Sequence, residues 1–219
     1  MATRADYRRS VNEPWIVVLD LVGVAVFACT GVLVAVRKEL DVFGALVLGL
    51  TTGLGGGVLR DVLIGAVPPA ALEDWRYLVV PAVTSATVFV FHPSFGRRET
   101  QIQLLDAVGA ALFCVAGAVK AADAGLGVLP AALLGMVTAI GGGMLRDVLA
   151  GRVPVVFREE LYATPAFAGA LVAVLAHRAD LDWWAYLVAG GLCVTWRLLA
   201  IWRGWTAPLP PGVSRNPEI

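Results

Sequence analysis

Long apolar stretches separated by short polar breaks run through nearly the whole chain. A helix needs roughly 20 mostly apolar residues to cross a bilayer. Seven stretches are candidates: about 15–36, 42–65, 75–92, 102–120, 126–150, 161–177 and 183–202. The breaks are Arg37-Lys38-Glu39, Glu73-Asp74, 95–103, 120–127, 152–160 and 178–182. The third and sixth stretches are short and carry Pro81 and Pro165, which leaves their ends loosely defined. The first run, about 22 residues from Trp15, exceeds the ~7–15-residue core of a signal peptide. Val26-Phe27-Ala28-Cys29 fits a lipoprotein cleavage box badly because of Phe27. The segment is expected to be retained as a helix.

The same pattern occurs twice. Gly55-Gly56-Gly57-Val58-Leu59-Arg60-Asp61-Val62-Leu63 returns 86 residues later as Gly141-Gly142-Gly143-Met144-Leu145-Arg146-Asp147-Val148-Leu149. With no gap, Leu19, Asp20, Gly23, Phe27 and Gly31 match Leu105, Asp106, Gly109, Phe113 and Gly117. Further on, Gly49, Thr52, Gly65, Pro68 and Glu73 match Gly135, Thr138, Gly151, Pro154 and Glu159. Chance apolar similarity does not align acids, Arg-Asp pairs and prolines at one offset, so the chain is internally duplicated.

Three spans per repeat is an odd number. The second repeat must therefore enter the membrane from the opposite face, which gives inverted topology about a pseudo-two-fold axis in the membrane plane. The expected fold is an all-α integral membrane protein with seven transmembrane helices, two inverted three-helix repeats plus a seventh helix. Its expected parts are a polar arm 1–14, repeats 15–92 and 102–177, a seventh helix 183–205 and a flexible tail 207–219.

Composition agrees. The 219 residues are 58% hydrophobic and 16% charged, with mean hydropathy +0.78, well outside the range of soluble domains. A net charge of zero gives no basic surface for nucleic acid. Cys29, Cys114 and Cys193 lie in apolar runs, at spacings that fit neither a disulfide framework nor a zinc site. Trp15, Trp75, Trp183, Trp184, Trp202 and Trp205 fall near predicted helix ends, as an aromatic belt requires. Basic residues number seven on the N-terminal face (Arg4, Arg8, Arg9, Arg60, Arg76, Lys120, Arg178). Nine lie on the other (Arg37, Lys38, Arg97, Arg98, Arg146, Arg152, Arg158, Arg203, Arg215). That is a weak bias toward a cytoplasmic C-terminus in the cell membrane.

The doubled motif is the candidate site. Four glycines in Gly53-Leu54-Gly55-Gly56-Gly57 are expected to kink or unwind the second span, and Gly141, Gly142 and Gly143 the fifth. Open backbone at membrane depth is tolerated only against protein or water, so a water-lined break is expected. The competing reading is close helix packing through small residues. Neighbouring helical residues point about 100° apart, so Arg60 is expected to meet Asp147 or Asp106, and Arg146 to meet Asp61 or Asp20. The ion pairs either line a cation path or lock the repeats together. Asp20 and Asp106 either compensate helix dipoles at the interface or line that path. Thr52 and Thr138 offer hydroxyls in place of water, unless they bond to their own backbone. Lys120 is expected to snorkel to the headgroups. His92 and His177 are placed at the interface, with no metal-ligand spacing around them. No nucleophile-base pair or phosphate loop is present, so neither catalysis nor a cofactor is expected.

Two three-helix repeats plus a seventh helix, with Gly-Gly-Gly-x-x-Arg-Asp in the second and fifth spans, resemble the prokaryotic trimeric intracellular cation (TRIC) channels. The domain of that family has also been labelled a glycine transporter. The resemblance covers roughly residues 15–205. It implies a homotrimer among membrane lipids, with one pore per subunit framed by the second and fifth helices. It also implies permeation of K+ and Na+ with potassium favoured, and a cytoplasmic C-terminus. The lysine-bearing signature of the animal members is not evident. Secondary transport of a small amino acid is the alternative, because inverted repeats with broken helices also suit carriers.

Overall fold

In a computed structural model, residues 13–95, 99–158 and 161–205 are described. Most of the polar arm, the tail and Glu159 lie outside them. The described chain is helical with no strand: α1 (Pro14–Arg37), α2 (Val42–Leu63), α3 (Ala70–Glu73), α4 (Arg76–Phe95), α5 (Glu99–Asp123), α6 (Val128–Leu149), α7 (Val155–Arg158), α8 (Ala163–Arg178) and α9 (Trp183–Arg203). Proline at the first position of α1 costs no hydrogen bond there. The Asp41 carboxylate caps α2 by accepting from the Gly44 N–H at 2.7 Å. Gly204, at φ 59°, ends α9 in the left-handed conformation that favours glycine.

Five helices, α1, α2, α5, α6 and α9, are long and apolar enough to cross a membrane. The segments Arg76–His92 and Ala163–Arg178 are shorter apolar helices. The protein is a multi-pass membrane protein. Its outward side chains are apolar, as a lipid-facing surface requires: Trp183, Leu187, Val188 and Trp202 of α9 are all more than half exposed.

α1 and α5 form the centre. α1 packs on α2, α4 and α5, and α5 packs on α6, α8 and α9. The rings of Phe27 and Phe113 stack with centroids 5.4 Å apart. Each ring fills the space where a side chain at a glycine of the other repeat would stand, Phe113 over Gly23 and Phe27 over Gly109.

α2 and α6 cross just as closely. A Cβ on Gly56 would lie 2.1 Å from the Thr138 carbonyl oxygen, and one on Gly142 would lie 2.2 Å from that of Thr52. These contacts exchange with one another under the 86-residue offset. Residue numbers rise on α2 as they fall on α6 across the contact, so the two helices run antiparallel.

The short helices α3 and α7 were not foreseen from the sequence. Each sits in the connection that follows a glycine-rich helix, in matched positions.

Candidate functional site

Helical hydrogen bonding runs unbroken through Gly53–Gly57 and Gly141–Gly143. The expected unwinding is therefore corrected. Without Cβ atoms the two backbones approach until further closure is impossible, and that packing gain offsets the conformational cost of glycine. Close packing, the competing reading, accounts for Gly56 and Gly142.

Beyond the crossing each helix ends in a buried charge cluster. Arg60 and Asp61 lie in the last turn of α2 and face Asp20 of α1, and all three side chains are essentially buried. Arg60 Nε donates to Asp61 Oδ1 at 2.8 Å. Its Nη1 and Nη2 fork onto Asp20 at 3.2 and 3.4 Å. Asp61 Oδ2 also accepts the N–H of Ala70, at 3.0 Å, and so anchors α3. Tyr77 Oη donates to Asp20 Oδ2 at 3.2 Å, and Lys120 Nζ of the second repeat donates to the same oxygen. Two cations face two carboxylates, as burial demands.

The second cluster repeats this plan. Arg146 Nε donates to Asp147 Oδ1 at 3.0 Å, and Nη1 donates to Asp106 Oδ1 at 2.7 Å. Asp147 Oδ2 accepts the N–H of Val155, at 3.2 Å, and so anchors α7. The third partners differ between the repeats. Arg146 Nη1 reaches Thr30 of the first repeat at 2.9 Å, and Arg152 donates to Asp147 at 2.8 Å. The Arg197 guanidinium of α9 lies 4.4 Å from the ring centre of buried Tyr162. Arg152 also reaches toward Glu99 (3.9 Å), which holds Arg37, so charge extends from this cluster to the surface.

Each arginine thus pairs inside its own repeat, which corrects the expected crosswise pairing. Two facts explain it. The antiparallel crossing sends Arg60 and Arg146 to opposite ends, each about 6 Å beyond its crossing glycine at 1.5 Å per residue, far from the other repeat's acids. An arginine side chain is also long enough to turn its Nε back onto the adjacent carboxylate, whatever the angle between the Cβ directions.

Lys120 is corrected as well. It is 0% exposed, drawn inward by Asp20 and not outward to headgroups. Thr52 and Thr138 donate to the Leu48 and Leu134 carbonyls at 2.6 and 2.7 Å and pack on Gly31 and Gly117. The backbone-bonded reading holds for both. Asp20 and Asp106, 1% and 3% exposed, are buried ion-pair acids. His92 bonds the Phe89 carbonyl at 2.7 Å. A small cleft, with room for about one water molecule, adjoins the first cluster and is lined by Asp20, Gly53, Gly57, Arg60, Tyr77 and Phe113 among others.

Lys120, Thr30, Tyr77 and Tyr162 were missed as cluster residues. A lone lysine in an apolar run needs a counter-charge, and that signal was available. The tyrosines are offset by 85 residues instead of 86, so a gapless alignment conceals their correspondence.

A sequence profile described as Glycine transporter matches residues 17–93 and 103–178, one match on each repeat. A UPF0126 membrane protein of Streptomyces coelicolor is 48% identical over 195 residues, covering 88% of this chain and 89% of the relative. One from Deinococcus radiodurans is 46% identical over 154 residues, with 69% and 72% covered. The UPF0126 inner membrane protein YadS of Escherichia coli is 42% identical over 160 residues, with 73% and 77% covered. Among solved structures, a TRIC trimeric intracellular cation channel orthologue from Rhodobacter sphaeroides superposes with TM-score 0.83 at 35% identity, covering 87% of this chain and 100% of that one. A second TRIC cation channel structure superposes with TM-score 0.81 at 32% identity, with 90% and 98% covered. With the profile spanning both repeats and the fold matched over nearly its whole length, the chain belongs to the TRIC cation channel family.

Proposed function

We propose that the protein is a monovalent cation channel favouring potassium, a homotrimer with one pore in each subunit. In this reading seven helices cross the cell membrane as two inverted repeats plus α9, with the C-terminus cytoplasmic. The observation that carries it is the pair of charge-balanced clusters, one at each end of the α2–α6 crossing. Conduction along that seam gives a cation carboxylates at both mouths, from Asp20 and Asp61 on one side and Asp106 and Asp147 on the other. Between them lies the narrow zone of Gly55, Gly56, Gly57, Gly141, Gly142 and Gly143, with the Thr52 and Thr138 backbones against it. Arg60 and Arg146 hold the carboxylates in place, and the carboxylates are what disfavours anions at each mouth.

In the arrangement described, both mouths are tied by ion pairs and the crossing leaves no gap. Conduction therefore requires the helices to part. Planar-bilayer recording of the purified protein is expected to show unitary cation currents with a reversal potential set by potassium. Saturable, carrier-like flux with no unitary events overturns the channel. The family profile's description favours a second reading, glycine transport. It predicts counterflow of labelled glycine in proteoliposomes, and absence of counterflow removes it.

A further inference from the structure

Four helix ends meet at His177. It lies in the last turn of α8, where Nε2 is 2.7 Å from Asp123 Oδ1 at the end of α5. Its Nδ1 is 3.2 Å from Tyr186 Oη in the first turn of α9. The Tyr186 ring packs on Trp15 in the first turn of α1, with centroids 4.9 Å apart.

Both imidazole nitrogens are engaged, and the partners fix their roles. A carboxylate only accepts, so Nε2 carries hydrogen. A phenol hydroxyl donates to a neutral Nδ1 and accepts from a protonated one. Proton uptake therefore reverses one hydrogen bond, breaks none and turns the Asp123 contact into an ion pair. Asp123 favours that form, since its Oδ2 is buried with no hydrogen-bond partner. The ends of α5 and α8 also carry the negative poles of their helix dipoles. The other charges facing the ring are Arg178 and Asp180. Arg178 is turned toward the Leu126 carbonyl, at 2.7 Å. The first turns of α1 and α9 bring no acid. The imidazole side chain is 29% exposed, so protons reach it from water.

We propose that His177 is a proton-binding latch that ties the ends of α1, α5, α8 and α9 together. Its position couples it to the first charge cluster. Lys120 lies one turn before Asp123 on α5, and Asp20 lies little more than one turn after Trp15 on α1. Tightening the latch holds the two helices that carry the Lys120–Asp20 pair. Its effect on current rests on the channel reading, whereas its effect on stability does not.

Histidine changes charge between about pH 5 and 8, so the test compares pH 6 with pH 8. The full-length protein in detergent is expected to melt about 2–4 °C higher at pH 6. H177Q, which keeps hydrogen-bonding capacity without titrating, is expected to lose that difference. D123N loses it too, and Y186F, which leaves the Asp123 pair intact, keeps it. In bilayers, acidifying the one chamber that faces the latch is expected to lower open probability several-fold in the wild type and not in H177Q. No melting difference in the wild type, or its persistence in H177Q, overturns the latch. A melting difference accompanied by pH-independent currents overturns its link to conduction. Absence of any unitary current overturns the channel reading and leaves the latch to stand on its melting result.

Discussion

Replacing Gly56 and Gly57 one at a time by alanine separates two reasons for a glycine run inside a membrane helix. If the run serves flexibility, each glycine matters about equally, because each alanine stiffens the helix alike. If it serves close packing, the outcome depends on what a methyl group meets. At Gly56 the new Cβ lies 2.1 Å from the Thr138 carbonyl oxygen and 3.4 Å from the Gly142 nitrogen, both backbone atoms. An ordinary contact requires roughly 1 Å of separation between α2 and α6, and overpacking of that kind costs about 1–3 kcal/mol. Alanine returns about 1 kcal/mol through helix propensity, so the net loss is up to about 2 kcal/mol. At Gly57 the nearest atom is Arg60 Nη2 at 3.7 Å, an ordinary contact. There the propensity gain stands alone, and G57A is expected to be neutral or more stable.

The second repeat supplies an internal duplicate. Gly142 meets the Thr52 carbonyl at 2.2 Å, whereas the nearest atom to a Gly143 Cβ is Tyr162 Oη at 3.5 Å. Thermal melting of the purified protein in one detergent is the assay. With roughly 2–4 °C per kcal/mol for a chain of this size, G56A and G142A are expected to melt up to about 8 °C lower. G57A and G143A are expected to match or exceed the wild type. Equal losses in all four variants refute the packing account.

Other expectations follow from the clusters and the core. Replacing Arg60 by Met leaves Asp20 and Asp61 with a single buried counter-ion and is expected to cost about 3–5 kcal/mol. K120M is milder because Arg60 and Tyr77 still hold Asp20, and a double-mutant cycle of K120M with D20N is expected to show coupling. T30V removes an acceptor from the Arg146 guanidinium and is expected to cost about 1.5–3 kcal/mol. T30S restores it, and equal melting of T30V and T30S removes this contact from the account. F27A and F113A are each expected to cost about 3–5 kcal/mol and to match one another, since each ring fills the other repeat's glycine site. E99Q, at a partly exposed pair, is expected to change stability by less than about 1 kcal/mol, an effect that disappears in high salt.

Periodicity located the helices to within a few residues because an apolar run is a local signal. The exceptions are the short α3 and α7, which carry no apolar run of their own, and α5 starts three residues early, at Glu99, since a polar first turn carries no hydropathy signal. The duplication was equally legible, because acids, prolines and Arg-Asp pairs at one offset are rare by chance. Partner choice was not. Arg60 meets Asp20 because α1 packs on α2, and which acid stands beside an arginine is a matter of tertiary approach. The fate of the glycines was ambiguous for the same reason. A run that permits a break also permits contact, and only the neighbouring helix at 2.1 Å decides between them. Lys120 shows the limit of treating each helix separately, since its partner lies 100 residues away.

The exchange of contacts between α2 and α6 has the form of a self-complementary dimer interface, in which a patch meets a rotated copy of itself. Were the halves separate identical chains, every substitution at the crossing would land on both sides at once. Fusion into one polypeptide removes that constraint, and each half can take residues the other does not. Lys120 stands where the first repeat has Val34, and Thr30 where the second has Ala116. Both are polar members of clusters that symmetry alone would make identical. The two ends of the molecule can therefore be tuned separately, with the shared glycine crossing as the part neither half is free to change.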